Sequence, residues 1–294
     1  MAHCVVEGAE EILDREMRVL DKGFVRLVDY LGGDERIVQA ARVSYGAGTK
    51  TFREDRGLIR YLMRNAHTSP FEQVVLTFHV KLPVFVARQW IRHRTARVNE
   101  ISGRYSVMRS EFYVPEGKDI ALQSESNRQG RGEEAVPPEM QAEIVEAVRE
   151  EQQRLYESYE DLLERGLARE LARINLPLSL YTEIYWQIDL HNLFHFLKLR
   201  MDPHAQYEIR VYAEAICRIA ERVAPIATEA FHDYVLSAVS LSGEEAAVLR
   251  RALALAEDGG EEAPAKLSEA ARVEGLSEKA LAGLVRKLSG KEEI

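Results

Sequence analysis

Apolar and polar residues alternate between Gln73 and Leu82, with Leu76, Phe78, Val80 and Leu82 on one side and Val75, Thr77, His79 and Lys81 on the other. A period of two marks a strand with one buried face. Upstream, the first twenty residues carry only a weak helical signal, whereas Gly23 to Tyr30 predicts a short strand and Gly32-Gly33-Asp34 a turn and helix start. Helical spacing covers Ile37 to Tyr45 and Leu58 to Asn65, the second closing before His67-Thr68-Ser69-Pro70, where Pro70 keeps Ser69 out of the helical region. Pro83 suits the first turn of a helix in which Val84, Ala87 and Ile91 recur, so that Arg88, Gln89 and Arg92 project from it.

The second half is more helical. Pro115 to Pro138, centred on Gln129-Gly130-Arg131-Gly132, reads as a long exposed loop. Glu139 to Gly166 is an amphipathic helix with Gly166 as its cap, and Tyr181 to Ile188 is an aromatic strand. Asp189 caps a helix running to Met201, and Asp202-Pro203 starts another, with Ile209, Tyr212, Ala213, Ile216, Ile219, Ala220 and Val223 as its apolar stripe. Cys217 sits beside that stripe as a packed residue. Beyond Val239 the chain becomes two short Ala/Leu/Glu-rich helical stretches, separated by Glu257 to Ala265, with Ser277 capping the last; this sets a boundary between residues 1–238 and 239–294.

Composition narrows the class. With 294 residues, 46% hydrophobic and 30% charged, the chain reads as a soluble globular protein, and the lack of a leader or a membrane-length apolar run places it in the cytoplasm. Cys4 and Cys217 lie far apart and belong to no Cys-x-x-Cys pair, which argues against a zinc site or a disulfide framework. Against a net charge of −9, the segment from Arg88 to Arg109 holds six arginines and the single acid Glu100. Arginine forks suit phosphate or carboxylate oxygens. A solvated basic face is the plain alternative, but His93, Asn99, Glu100, Ser102, Tyr105 and Ser106 are interleaved with the arginines, and Gly103 lets backbone approach a ligand.

Two further chemistries are weak. His191 and His195 share a helix face, yet no Glu or Cys completes a zinc-type spacing around them, so no metal is expected there. Ser102 lacks a Gly-x-Ser-x-Gly elbow and an adjacent histidine base, which makes it a ligand-contacting or structural serine.

The motif Arg92-His93-Arg94-x5-Glu100-x-Ser102-x-Arg104-Tyr105-Ser106 resembles the signature of the flavin-dependent thymidylate synthases. The resemblance continues through His67-Thr68-Ser69-Pro70-Phe71-Glu72, Phe85-Val86-Ala87-Arg88-Gln89-Trp90, Leu176-Pro177-Leu178-x-Leu180-Tyr181 and Leu199-Arg200-Met201-Asp202-Pro203-His204-Ala205-Gln206, over roughly residues 20 to 235. It implies an α/β (α+β) fold, with a central mixed β-sheet flanked by long helices, in a homotetramer whose active sites lie between subunits. The tail after Val239 is then a helical C-terminal extension of the catalytic domain.

By that resemblance the reaction is reductive methylation of dUMP to dTMP, with FAD, NADPH and methylenetetrahydrofolate. Ser44, Ser69, Arg92, His93, Arg94, Glu100, Asp189, His191 and His195 would hold FAD. Gln89, Trp90, Arg92, Glu100, Ser102, Gly103, Arg104, Arg173 and Arg200 would surround dUMP, with Arg200 as the catalytic residue against the uracil O2 and N3 edge. Neither cysteine is placed as a nucleophile. Arg97 stands where the family commonly has serine, and Asp189 and His195 where some members have asparagine; an ionised Asp189 accepts hydrogen bonds but cannot donate one. A nucleic-acid-binding module using the same arginines and Tyr105, and a flavoprotein oxidoreductase without folate chemistry, are the rival readings.

Overall fold

The computed structural model describes residues 5–43, 52–124, 130–257, 263–274 and 276–289. The chain divides into two compact units, 1–236 and 237–294. In the first, α1 (Glu7–Glu10), β1 (Met17–Val19) and β2 (Gly23–Leu31) precede α2 (Asp34–Arg42), α3 (Phe52–Arg64), β3 (Val75–Pro83), α4 (Val84–Trp90) and β4 (Arg97–Glu100). A ribbon of β5 (Ala121–Gln123) and β6 (Arg131–Ala135) follows, then the long α5 (Pro138–Glu164), one-turn α6 (Arg169–Ala172), β7 (Tyr181–Asp189), α7 (Leu190–Arg200), α8 (Tyr207–Val223) and α9 (Pro225–Phe231). A π-helical turn, His232–Leu236, closes the unit.

The sheet runs β1-β2-β3-β7-β4 and every neighbouring pair is antiparallel. The implied mixed sheet is therefore antiparallel throughout its named strands, and the described parallel pairing is the isolated Leu13–Leu27 bridge. Alternation along β3 is as expected, with Leu76, Phe78, Val80 and Leu82 all 0% exposed. They share their face with Ile184, Trp186 and Ile188 of β7, Phe78 lying directly opposite Trp186. The α8 stripe and Leu193, Phe196 and Leu197 of α7 belong to the same core. Each buried side chain of this size contributes about 1.5–3 kcal/mol, so the two halves of the motif-bearing chain are fastened to one rigid sheet.

Several local elements differ from the sequence reading. The segment from Pro115 to Pro138 is not a plain loop: Ala121 pairs with Ala135 and Gln123 with Arg131. Its strands are short and polar, which hides them from a periodicity argument. Asp202-Pro203 does not start a helix, because the Asp202 carboxylate accepts from the His204 N–H at 2.8 Å and forms an Asx turn; α8 begins at Tyr207. β4, in a stretch read only for its charges, is an edge strand with all four residues exposed.

The second unit holds α10 (Gly243–Glu257), α11 (Ala263–Val273) and α12 (Glu278–Ser289), three helices where two stretches were expected. Val248, Ala270, Ala271 and Leu284 form its own small core. Ser242 and Glu245 bond reciprocally as a capping box at the start of α10, and Ser277 Oγ accepts from the Ala280 N–H at 3.3 Å at the start of α12. Among the described residues no helix is long and apolar enough to cross a membrane.

Candidate active site

Residues far apart in sequence meet at Arg200, the last residue of α7. Its Nε donates to His93 Nε2 at 3.0 Å and its Nη2 to the Gln89 carbonyl at 3.3 Å. A guanidinium only donates, so His93 presents its lone pair at Nε2 and carries its proton on Nδ1. Burial, the Arg200 charge and His195 together push the His93 pKa down to about 4, which keeps the ring neutral at ordinary pH. Its ring lies 4.9 Å from Phe196 and 6.0 Å from His195, both edge-on. Burial also lowers the Arg200 pKa. Among the described residues Arg200 forms no ion pair, and it uses two of its five N–H donors on neutral acceptors. The positive charge is thus held in place without being neutralised.

Gln89 is held from its other side. Its amide donates to Gln206 Oε1, Gln206 donates to Glu208 Oε2 at 2.8 Å, and Glu208 is 1% exposed. Tyr113 donates to Glu208 Oε1 at 3.0 Å, and Arg131 of β6 pairs with that same oxygen. Sequence reading missed Glu208 and Gln206 as supports. The signal was present: an acid one residue before Ile209, in a helix whose interior stripe is otherwise apolar.

A second group gathers around Gly103. A Cβ there would lie 3.1 Å from Arg173 Cδ and 3.2 Å from Met108 Sδ, so any other residue would push the Arg173 stem and Met108 outward from this backbone. Ser102 Oγ accepts from the Arg104 N–H at 3.3 Å, and Arg104 pairs with Glu170 at 3.2 Å. Glu100 accepts from Thr182 Oγ1 at 2.6 Å. Pairing of β4 with β7 sets Glu100 opposite Ile184 and Arg97 opposite Gln187, so the two point to opposite sheet faces. Among the described residues no hydrogen bond, ion pair or ring contact connects this group to the Arg200–His93–Gln89 group.

Asp189 spends its carboxylate on capping α7, accepting from the Asn192 N–H at 2.9 Å and the Asn192 side chain at 2.8 Å. One turn up, His191 and His195 line a cavity of about 190 Å3 with His67, Thr68, Phe194 and Lys198. Ser69 is exposed in the turn beside it. Trp90 is placed elsewhere: it is 0% exposed, packed 5.1 Å from Trp186 and 4.8 Å from Phe196, and supports α4 from below rather than facing a ligand. Ser44 lies outside the described residues.

The chemistry of the donor set fits a phosphorylated cofactor and nucleotide. Arg92, Arg94, Arg97 and Arg173 are exposed, and among the described residues none forms an ion pair, whereas Arg104 does. Guanidinium groups free of ion pairs are donors suited to the phosphate oxygens of such ligands.

Comparison with known proteins bears on the same residues. A family model described as thymidylate synthase complementing protein matches residues 26–226. The flavin-dependent thymidylate synthase of Treponema denticola is 63% identical over 247 residues, covering 84% of this chain and 93% of that protein. That of Treponema pallidum is 61% identical over 254 residues, covering 86% and 83%. Among solved structures, the UMP/dUMP methylase PolB from Streptomyces cacaoi bound with 5-Br dUMP superposes with a TM-score of 0.68 at 33% identity, covering 75% of this chain and 99% of that one. The matched span contains all five motifs and every described residue of both groups, and on these grounds the chain belongs to the flavin-dependent thymidylate synthase family.

Proposed function

We infer that the chain catalyses reductive methylation of dUMP to dTMP in the cytoplasm, with FAD as cofactor and with NADPH and methylenetetrahydrofolate as co-substrates. The observation that carries this is Arg200, a half-buried cation fixed by His93 and Gln89 with its charge left available. Arg200 stabilises negative charge on the O2 and N3 edge of uracil, which raises electron density at C5 without covalent attack by the protein. Gln89, kept in register by Gln206 and Glu208, orients the nucleotide beside it. Glu100, Ser102, Gly103, Arg104 and Arg173 receive its phosphate and sugar. The likeness to a methylase crystallised with 5-Br dUMP supports a pyrimidine nucleotide as substrate.

Bound FAD supplies hydride chemistry that no side chain offers. Arg92, Arg94, His93 and Ser69, with Ser44, Glu100, Asp189, His191 and His195, are the residues that would hold it. Asp189 contributes through the helix it caps. A cysteine route is disfavoured by Cys217, which is buried and whose thiol is pushed up to about 12 by desolvation, far from a reactive thiolate.

The two groups, joined by no hydrogen bond, ion pair or ring contact among the described residues, are halves of sites completed by a second subunit of a homotetramer. The test is direct. Purified protein is yellow and, given folate and reductant, releases tritium from C5-labelled dUMP with matching dTMP formation. A colourless protein that releases none after FAD addition, and binds oligonucleotides with a steep salt dependence, would be a nucleic-acid module instead. NADPH consumption without dTMP would leave an oxidoreductase.

A further inference from the structure

Cys217 and Glu221 stand one turn apart on α8, and His232 opens the π-helical turn after α9. One ligand atom from each lies within 4.8 Å of the others. His232 Nε2 is 3.5 Å from Cys217 Sγ and 3.4 Å from Glu221 Oε1. A single imidazole nitrogen cannot serve both neighbours through hydrogen bonds: protonated it donates to the carboxylate, unprotonated it accepts from the thiol. The carboxylate separation is also longer than the about 2.7–2.9 Å of a charged N–H···O bond. A cation between the three takes one lone pair from each at once.

Two of the three donor–donor separations fit zinc geometry, and the third lies within 4.8 Å. Zinc takes sulfur at about 2.3 Å, imidazole nitrogen at about 2.0–2.1 Å and carboxylate oxygen at about 2.0–2.2 Å, so tetrahedral angles set donor–donor edges of roughly 3.3–3.6 Å. Both His232 separations fall on those edges. We propose that Cys217, Glu221 and His232 form a zinc site, with water in the fourth position. A thiolate, a carboxylate and Zn2+ sum to no net charge, which suits a site anchored by a residue only 3% exposed. Zinc is bound by the thiolate, and its binding releases the thiol proton. Spacing rules built on Cys-x-x-Cys pairs pass over this set because its members come from two elements.

The role is structural. Phe231 and Val235, flanking and following His232, line the cavity that also holds His191, His195 and Lys198. Zinc staples the π-turn to α8 and thereby fixes one wall of that cavity, and no step of methyl transfer passes through it.

The experiment starts from the intact holoprotein, dialysed against a chelator and then titrated with Zn2+ or Co2+. One equivalent of zinc is expected per chain, lost in Cys217→Ser and in His232→Gln, and retained in Cys4→Ser. Cobalt is expected to give intense visible bands of tetrahedral coordination, plus a thiolate-to-cobalt band in a difference spectrum from which the flavin is subtracted. Circular dichroism monitors folding of each variant. If a variant unfolds, the cobalt spectrum of the unaltered protein decides alone. Absence of zinc binding at micromolar free metal, retention of zinc by either site variant, or a weak octahedral cobalt spectrum overturns the proposal and leaves a simple thiol–imidazole contact.

Discussion

Arg200 is a cation held by a ring nitrogen and a backbone oxygen, and its partners explain why it stays useful. A carboxylate in their place would cancel the charge proposed to act on the uracil edge. Arg200→Ala is therefore expected to keep flavin absorbance and lose about 100- to 1,000-fold in turnover, the usual cost of removing one preorganised donor; unchanged turnover would take Arg200 out of the mechanism. His93 supplies a pH signature. Its folded pKa is about 4 against an ordinary 6.5, so the unfolded chain binds more protons between those values. Stability conferred by the neutral ring is complete above about pH 6.5 and declines as pH falls toward 4. Thermal unfolding of ligand-free protein across that window is expected to show a shallower acid loss in His93→Gln than in its parent. At this scale the motif was legible as a set of residue types. Its pairings were not: nothing local shows that Arg200 meets a residue 107 positions away, or that Trp90, inside the same motif as Gln89, turns into the core.

Elements show the same division. β3 was plain because one of its faces is fully buried, and Asp189 was plain as a cap because capping is a local exchange between a carboxylate and the next turn. β4 was hidden, since an exposed edge strand needs no alternation, and the β5–β6 ribbon was hidden by its polar composition. Asp34 carries a role that only assembly reveals. It begins α2, yet its carboxylate accepts the Ile226 and Ala227 N–H groups at 2.8 and 2.9 Å, capping α9 from 192 residues away. Asp34→Ala is expected to lower stability by about 0.5–2 kcal/mol, the range for a lost cap, as measured by urea unfolding. Burial raises its pKa from 3.8 to about 6, outweighing those two hydrogen bonds. The folded state then holds the proton more tightly, and stability falls as pH rises from 3.8 to 6, opposite in sign to His93. Comparing each variant with its parent separates the two slopes.

Across the whole molecule, the fold class followed from patterning and from resemblance to a family, whereas the division of the candidate site residues into two groups needed coordinates. Family motifs record which residues act together, and say nothing of which belong to one chain's contact network. The buried Glu208 has a consequence of another kind. One of its oxygens is held by Tyr113 and by Arg131 of the ribbon, and the other by Gln206, which in turn holds Gln89. Peeling the ribbon away strips a buried carboxylate of its cation, and the amide chain to Gln89 loosens in the same event. With Gln89 beside the nucleotide as proposed, backbone amides of Ala121–Gln123 and Arg131–Ala135 are expected to exchange with deuterium more slowly when dUMP is present, and Gln206→Ala is expected to abolish the difference. The ribbon then serves as a reporter of site occupancy, readable by mass spectrometry without any turnover.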